Sequence, residues 1–277
     1  EDVSLMQEKD GVTNLLLKCT HDQETVLVRV YGDSTETIIS RTRELENFVA
    51  LYLQGYAPEV LNRFENGLVY RYVPGQVLNA KTVRDERYAH ATASLLGEWH
   101  RVMPHSERNA FWPTLKQWVE LVPEGDSHST RRLTEQLAVL QQEAEQASNE
   151  LVFSHNDLLP ANIIVQSDGT EKVAFIDYEY ACTHDPHFDI ANHFLEYAGM
   201  DCDWETLPSE AHQRHFVAAY LESFHQRAPD DAAIHATMAK VNTYKRVSHF
   251  YWGVWALVQA SISKIDFDYA AYAQRRL

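Results

Sequence analysis

The chain has 277 residues, 45% of them hydrophobic, and carries 24 basic against 40 acidic side chains, a net charge of -16. That acidity argues against nucleic acid as a partner and suits a protein that attracts a small cation. Length and apolar content allow one large core or two lobes sharing a cleft, a shape that suits a nucleotide. Fourteen histidines soften the charge near pH 6. Cys19, Cys182 and Cys202 are odd in number and lack metal-type spacing, which points to a reducing compartment. The longest apolar run, 250–258, falls far short of a membrane span, so the expectation is a cytoplasmic chain without membrane insertion. The opening Glu1-Asp2-Val3 has neither an initiator Met nor a signal-peptide pattern, and a trimmed start is expected.

The first 75 residues read as a small β-rich lobe. Segments 15–18 and 25–31 pair as strands around a His21-Asp22-Gln23 turn. A helix over 36–53 follows, with Ile39, Leu45, Phe48, Val49 and Tyr52 on one side. Segments 58–64 and 67–73 form a second hairpin around Glu65-Asn66-Gly67, a favoured turn sequence. Pro74-Gly75 breaks the pattern and marks a hinge. Beyond it the chain turns helical, over 86–103, 114–122 and 130–150, with 123–129 as a connecting loop. Helices return over 208–227 and 231–263.

Between these helices lies the most informative stretch, 151–180, LVFSHNDLLPANIIVQSDGTEKVAFIDYEY. A buried run, 151–153, leads into His155-Asn156-Asp157, and Asn162 follows five residues after Asp157. Strands over 163–165 and 173–176 close a hairpin at Ser167-Asp168-Gly169, and the second strand ends in Asp177. Two carboxylates and one amide therefore converge on one pocket. Phosphoryl transfer needs positioning and neutralisation of phosphate charge, largely by magnesium, which takes hard oxygen ligands. Asn162 and Asp177 supply such oxygens, leaving Asp157 to orient a hydroxyl and accept its proton. Ser154, His155 and Asp157 are too close along one extended stretch to form a hydrolase relay, and no G-x-S-x-G elbow exists.

FSHNDLLPANIIV, VAFIDYEYACTHDPHFDIANHFLEYAG and WGVWALVQASISKIDFDYAAYA resemble the choline/ethanolamine kinase family, the ethanolamine branch more closely. The likeness runs from Gly11 to about Ala273. It implies an α+β, bilobal protein-kinase-like fold, with residues 1–75 as the ATP-binding lobe and 76–277 as the helical catalytic and substrate-binding lobe. ATP and Mg2+ are the implied cofactors. By the same resemblance Gly11, Thr13 and Asn14 belong to the loop over the ATP phosphates, with Asp10 where a second Gly often stands. Arg29 replaces the kinase lysine and Glu44 is its partner, a surface ion pair being the plainer alternative. Residues 71–73, with Arg71 and Val73, turn backbone groups to adenine. Asp157 is the base, Asn162 and Asp177 bind the metal, and Glu179 stands near metal or substrate. His155 holds the loop, and Asp189 either braces the catalytic loop or caps the next helix. His184 and His187 beside Asp185 lack further ligands for zinc and read as solvated loop histidines.

Trp252 and Trp255 share one helix face, as a core stripe or, by the resemblance, as the lining of an amino-alcohol site. Glu196, Tyr269 and Tyr272 would complete it. A quaternary ammonium has no N–H to donate and favours an aromatic cage, while a primary ammonium needs acceptors for three donors. Asp201 falls where choline kinases tend to place a cage tyrosine, which favours ethanolamine, and hence phosphoethanolamine for phosphatidylethanolamine synthesis. A choline kinase and a catalytically silent nucleotide-binding scaffold remain open; an aminoglycoside kinase is disfavoured by the Trp252 and Trp255 helix. A homodimer is left open as a partner.

Overall fold

The computed structural model describes residues 3–8, 14–32, 35–125, 129–167, 170 and 172–277. The N-terminal part is an antiparallel sheet of β1 (Ser4–Glu8), β2 (Asn14–His21), β3 (Glu24–Tyr31), β4 (Val60–Phe64) and β5 (Gly67–Arg71), ordered β1-β2-β3-β5-β4. Both expected hairpins are present. Asp22 turns the first one in the left-handed region, at φ 53°, where Asp is tolerated. The edge strand β1 escaped the sequence reading because its apolar residues, Leu5 and Met6, face solvent and show no buried face.

A 3-10 turn, Thr35–Thr37, precedes α1 (Arg41–Leu53), whose cap is Ser40, accepting from the Arg43 amide. The inward face of α1 is not the apolar one expected. Glu44, Asn47, Phe48 and Leu51 are buried, while Val49 and Tyr52 are each 43% exposed. Polar groups own that face because Glu44 meets arginines and Asn47 donates to the Ala181 carbonyl at 2.7 Å, partners that periodicity cannot reveal.

Pro74-Gly75 does break the sheet, but Gly75 already opens β6 (Gly75–Val77). A Cβ there would sit 2.3 Å from the Val165 carbonyl, so only glycine permits the approach. Then come α2 (Glu86–Val102), α3 (Phe111–Leu121), α4 (Thr130–Ala147), β7 (Val152–Ser154), β8 (Ile163–Gln166), β9 (Val173–Phe175) and β10 (Cys182–His184). The expected hairpin of β8 and β9 is present, with Ile163 opposite Phe175 and Val165 opposite Val173. Of its turn, Asp168 and Gly169 lie outside the described residues. β6 adds to this hairpin in the order β6-β8-β9, and β7 pairs with β10. The segment after the N-terminal sheet is thus stitched to the strands that carry the candidate site.

The rest is helical: α5 (Pro186–Leu195), α6 (Glu210–His225), α7 (Asp231–Ile262) and α8 (Tyr269–Arg276). α7 runs through the centre, packed by α4, α5, α6 and α8, which explains why its second half is buried nearly all round. Gly97 lets α2 and α6 touch, since a Cβ there would lie 2.5 Å from the Tyr220 carbonyl. Among the described residues no helix is long and apolar enough to cross a membrane.

Candidate active site

β7 delivers His155, Asn156 and Asp157 into a buried loop. Asn156 adopts φ 63°, a left-handed conformation that Asn accepts at small cost. Asp189, fully buried in the first turn of α5, holds it there. Its carboxylate accepts from the backbone N–H groups of His155 and Asn156 at 2.7 Å each and from His100 Nε2 at 3.0 Å. Burial alone would raise this carboxyl, yet the bond and charge of His100 and the His155 amide hold it below the ordinary value. The helix cap is Asp185, which accepts from His187 N at 3.0 Å. Of the two roles open to Asp189, bracing the loop is the one its bonds perform. His155 Nε2–H donates to the Ile176 carbonyl at 2.9 Å, and its Nδ1 accepts from the Asp157 amide at 3.3 Å. His155 thereby links the loop to the segment that carries Asp177, and burial keeps it neutral by lowering its pKa.

Asp157 and Asn162 are in direct contact. Asn162 ends the 3-10 turn Pro160–Asn162, and its Nδ2 donates to the Asp157 carbonyl at 2.8 Å and to Asp157 Oδ2 at 3.0 Å. Asp157 Oδ1 is buried without a hydrogen-bond partner among the described residues. Burial, then the charges of Asp177, Glu196 and Glu179, push the Asp157 carboxyl well above its ordinary value. Asp177 adopts φ 68°, and its side chain stays 32% exposed while Oδ1 accepts from Arg29 Nη2 at 2.9 Å.

Arg29 is not a surface ion pair. Its side chain is 4% exposed and meets Glu44 through Nη1 at 3.2 Å and both Asp177 and Glu179 through Nη2. Arg41, which sequence reading missed, doubles this centre: it reaches Glu44 at 2.9 Å, Glu179 at 3.3 Å and Asn14 Oδ1 at 3.3 Å, and lies 3.9 Å over the Tyr31 ring. Its signal was the three-residue spacing to Glu44 on one helix. Burial would lower the Arg29 pKa, but Asp177, Glu179 and Glu44 outweigh it and keep the guanidinium charged. Glu179 accepts from Asn14 Nδ2 at 3.1 Å as well, so its carboxylate is engaged with both arginines and β2. These bonds tie β2, β3 and α1 to the strand end bearing Asp177.

A cleft of about 470 Å³ opens beside this centre. Leu16, Leu27, Phe48, Tyr70, Tyr72, Val73 and Ile164 give it apolar walls, while Asn14, Arg29, Asn162 and Asp177 give it polar ones. Val73 lines it. The Arg71 side chain points away to Glu59 at 3.0 Å, as strand alternation requires, and its amide bonds the Glu59 carbonyl. Gly11 and Thr13 lie outside the described residues. Among those described, no three His, Cys, Asp or Glu side chains form a metal cage. The donor set at the cleft is one amide and one aspartate, both hard oxygens, which fits a magnesium ion that takes its other ligands from phosphate and water.

The expected substrate residues form a second, aromatic cluster. Trp252 and Trp255 meet edge to face at 5.5 Å, Tyr180 meets Trp252 at 5.5 Å, and Tyr269 meets Trp255 at 5.6 Å. Both indoles are held by groups the sequence did not flag: Trp252 donates to Asn192 Oδ1 at 2.7 Å and Trp255 to the Tyr180 hydroxyl at 2.9 Å. Tyr272 stands near Glu196, whose charge raises the Tyr272 hydroxyl after burial does. Asp201 is exposed, so the carboxylate buried on this side is Glu196. His184 and His187, expected in solvent, are buried: β10 pairs into the core, His184 stacks 3.8 Å from Phe111, and His187 bonds Asp185 at 2.6 Å.

The sheet-and-helix architecture is that of the protein-kinase-like phosphotransferases. An ethanolamine kinase of Plasmodium vivax superposes with a TM-score of 0.90 at 26% identity, over 99% of this chain and 81% of that one. The family described as Choline/ethanolamine kinase matches residues 5–277. Ethanolamine kinase 2 of Mus musculus is 35% identical over 286 residues, covering 99% of this chain and 74% of its own. A probable ethanolamine kinase of Nematostella vectensis is 34% identical over 302 residues, covering 100% and 86%. The chain belongs to the choline/ethanolamine kinase family, a family of phosphotransferases, as its motifs suggested.

Proposed function

We propose that this chain is an ATP- and magnesium-dependent ethanolamine kinase that makes phosphoethanolamine. The observation that carries the reading is the pair Asp157 and Asn162: one carboxylate oxygen is fixed by the amide, and the other is buried with no partner among the described residues. Such an oxygen suits the hydrogen of an incoming hydroxyl. Asp157 orients that hydroxyl and takes its proton as the oxygen attacks the γ-phosphorus of ATP in line and ADP leaves. Asn162 Oδ1 and Asp177 would hold magnesium, which when bound neutralises phosphate charge. Arg29, kept charged between Glu44, Asp177 and Glu179, fixes Asp177 and adds a cation beside the cleft. Tyr70, Tyr72, Val73 and Ile164 offer the adenine base an apolar bed. Residues 1–75 would serve as the nucleotide lobe and 76–277 as the catalytic lobe. Trp252, Trp255, Tyr269 and Tyr272, with Glu196, would receive the ammonium group. Ethanolamine is preferred to choline because the mouse relative is by name an ethanolamine kinase and the Nematostella relative a probable ethanolamine kinase, and because a buried carboxylate accepts from a primary ammonium.

The test is ADP release from ATP and magnesium with ethanolamine, choline and an aminoglycoside side by side. Turnover with ethanolamine well above choline is expected. Asp157→Ala is expected to lose turnover by orders of magnitude while still binding ATP, as for a group acting mainly in the transition state. A choline preference, or near-normal turnover in Asp157→Ala, overturns the reading.

A further inference from the structure

We propose that Arg276 is a positioning residue that fixes Glu196 and thereby sets the preference for a primary over a quaternary ammonium. The inference deepens the assignment of Glu196 to the ammonium site and rests on it. Arg276 lies in the last turn of α8, 80 residues from Glu196, and its Nη2 donates to Glu196 Oε1 at 2.8 Å. Both side chains are buried, at 0% and 6% exposure. The guanidinium is held 5.1 Å from the rings of both Trp204 and Tyr272. Its Nε and Nη1 are buried without a hydrogen-bond partner among the described residues, so Glu196 is its principal anchor. The neighbouring Arg275 donates to the Asp201 carbonyl at 2.6 Å, which fastens the turn that follows Glu196 to the same helix. The charge of Glu196 is felt at Asp157, where it helps to raise the carboxyl after burial and Asp177.

The chemistry follows from what the pair leaves over. Arg276 and Glu196 together carry no net charge, and Oε1 is occupied. The general attraction for any cation is therefore weakened, while Oε2 remains a directional acceptor. A primary ammonium brings three N–H donors to such an oxygen; a quaternary ammonium brings none. Without Arg276 the carboxylate would be uncompensated and free to turn. It would then attract either cation by charge alone, and the hydrogen-bond criterion would be lost. Lysine at this position would restore the charge but not the planar fork, and so only part of the effect.

The experiment measures kcat and KM for ethanolamine and for choline in the parent chain, Arg276→Met and Arg276→Lys. The ratio of kcat/KM for ethanolamine to that for choline is expected to fall about tenfold in Arg276→Met, the low end for a hydrogen bond to a charged group. The change is expected mainly in KM for ethanolamine, with Arg276→Lys between the two. Should Arg276→Met fail to fold, the ratio in Arg276→Lys decides alone: a fall below the parent supports the inference, and no change overturns it. An unchanged ratio, with both substrates losing equally, makes Arg276 merely structural and overturns the inference. A parent chain that does not turn over ethanolamine instead overturns the functional reading beneath it.

Discussion

Replacing Asp189 by Asn exchanges one carboxylate oxygen for an NH2 in a fully buried group, and its cost can be worked from three bonds. The carboxylate accepts from two backbone N–H groups at 2.7 Å and from His100 at 3.0 Å, three donors shared between two oxygens. Asn keeps one acceptor oxygen and brings an NH2 that must face one of the same N–H groups. At least one buried donor is then unmet, at about 1–3 kcal/mol, and the bonds that remain lose their charge assistance. A total of about 2–4 kcal/mol of stability is expected, since the loop must also keep Asn156 at φ 63° without its anchor. Urea denaturation of the two proteins measures it: the midpoint should fall with little change in slope. Turnover should fall as well, because Asp157 follows Asn156 directly. A loss under about 0.5 kcal/mol with full turnover would refute the brace.

Two further outcomes are expected from packing and protonation. Gly97→Ala pushes a methyl to within 2.5 Å of the Tyr220 carbonyl, backbone that cannot rotate away, and should cost about 1–3 kcal/mol in the same assay; a neutral or stabilising effect would show that α2 and α6 are not in close contact. Burial lowers His184 to about 3 and His193 to about 4 from an ordinary 6.5. The unfolded chain therefore takes up protons below pH 6.5 that the folded chain refuses, and stability is full above that value and lost as pH falls toward 4 and 3. At pH 5 each histidine should subtract about 2 kcal/mol, with Asp157, whose pKa is raised, acting in the opposite sense. Equal unfolding free energies at pH 8 and pH 5 in an Asp157→Asn chain, where that opposing group is gone, would contradict this.

The candidate catalytic stretch was legible because its information is local. Asn162 stands five positions after Asp157, one hairpin separates Asn162 from Asp177, and turn chemistry with short apolar strands suffices to bring them near one another. Long helices were legible for a similar reason, their apolar faces repeating over many turns. The inward face of α1 was not, because Glu44 and Asn47 are polar residues made inward by partners elsewhere in the chain. His184 and His187 were misplaced on the same ground: a polar, loop-like composition hid a strand and helix start packed into the core.

What the amino-acid sequence determined by itself is therefore the family, a sheet-rich beginning followed by long helices, and the local stretch that sets Asn162 against Asp157. Only the tertiary structure decided which charges meet. Arg29 reaches Glu179 across 150 positions, Arg41 joins them, and Arg276 returns to Glu196 across 80. A charged residue read along the chain is by default a solvated one. Its burial depends on whether opposite charges arrive from distant segments to compensate its lost hydration, and that is settled only when those segments pack.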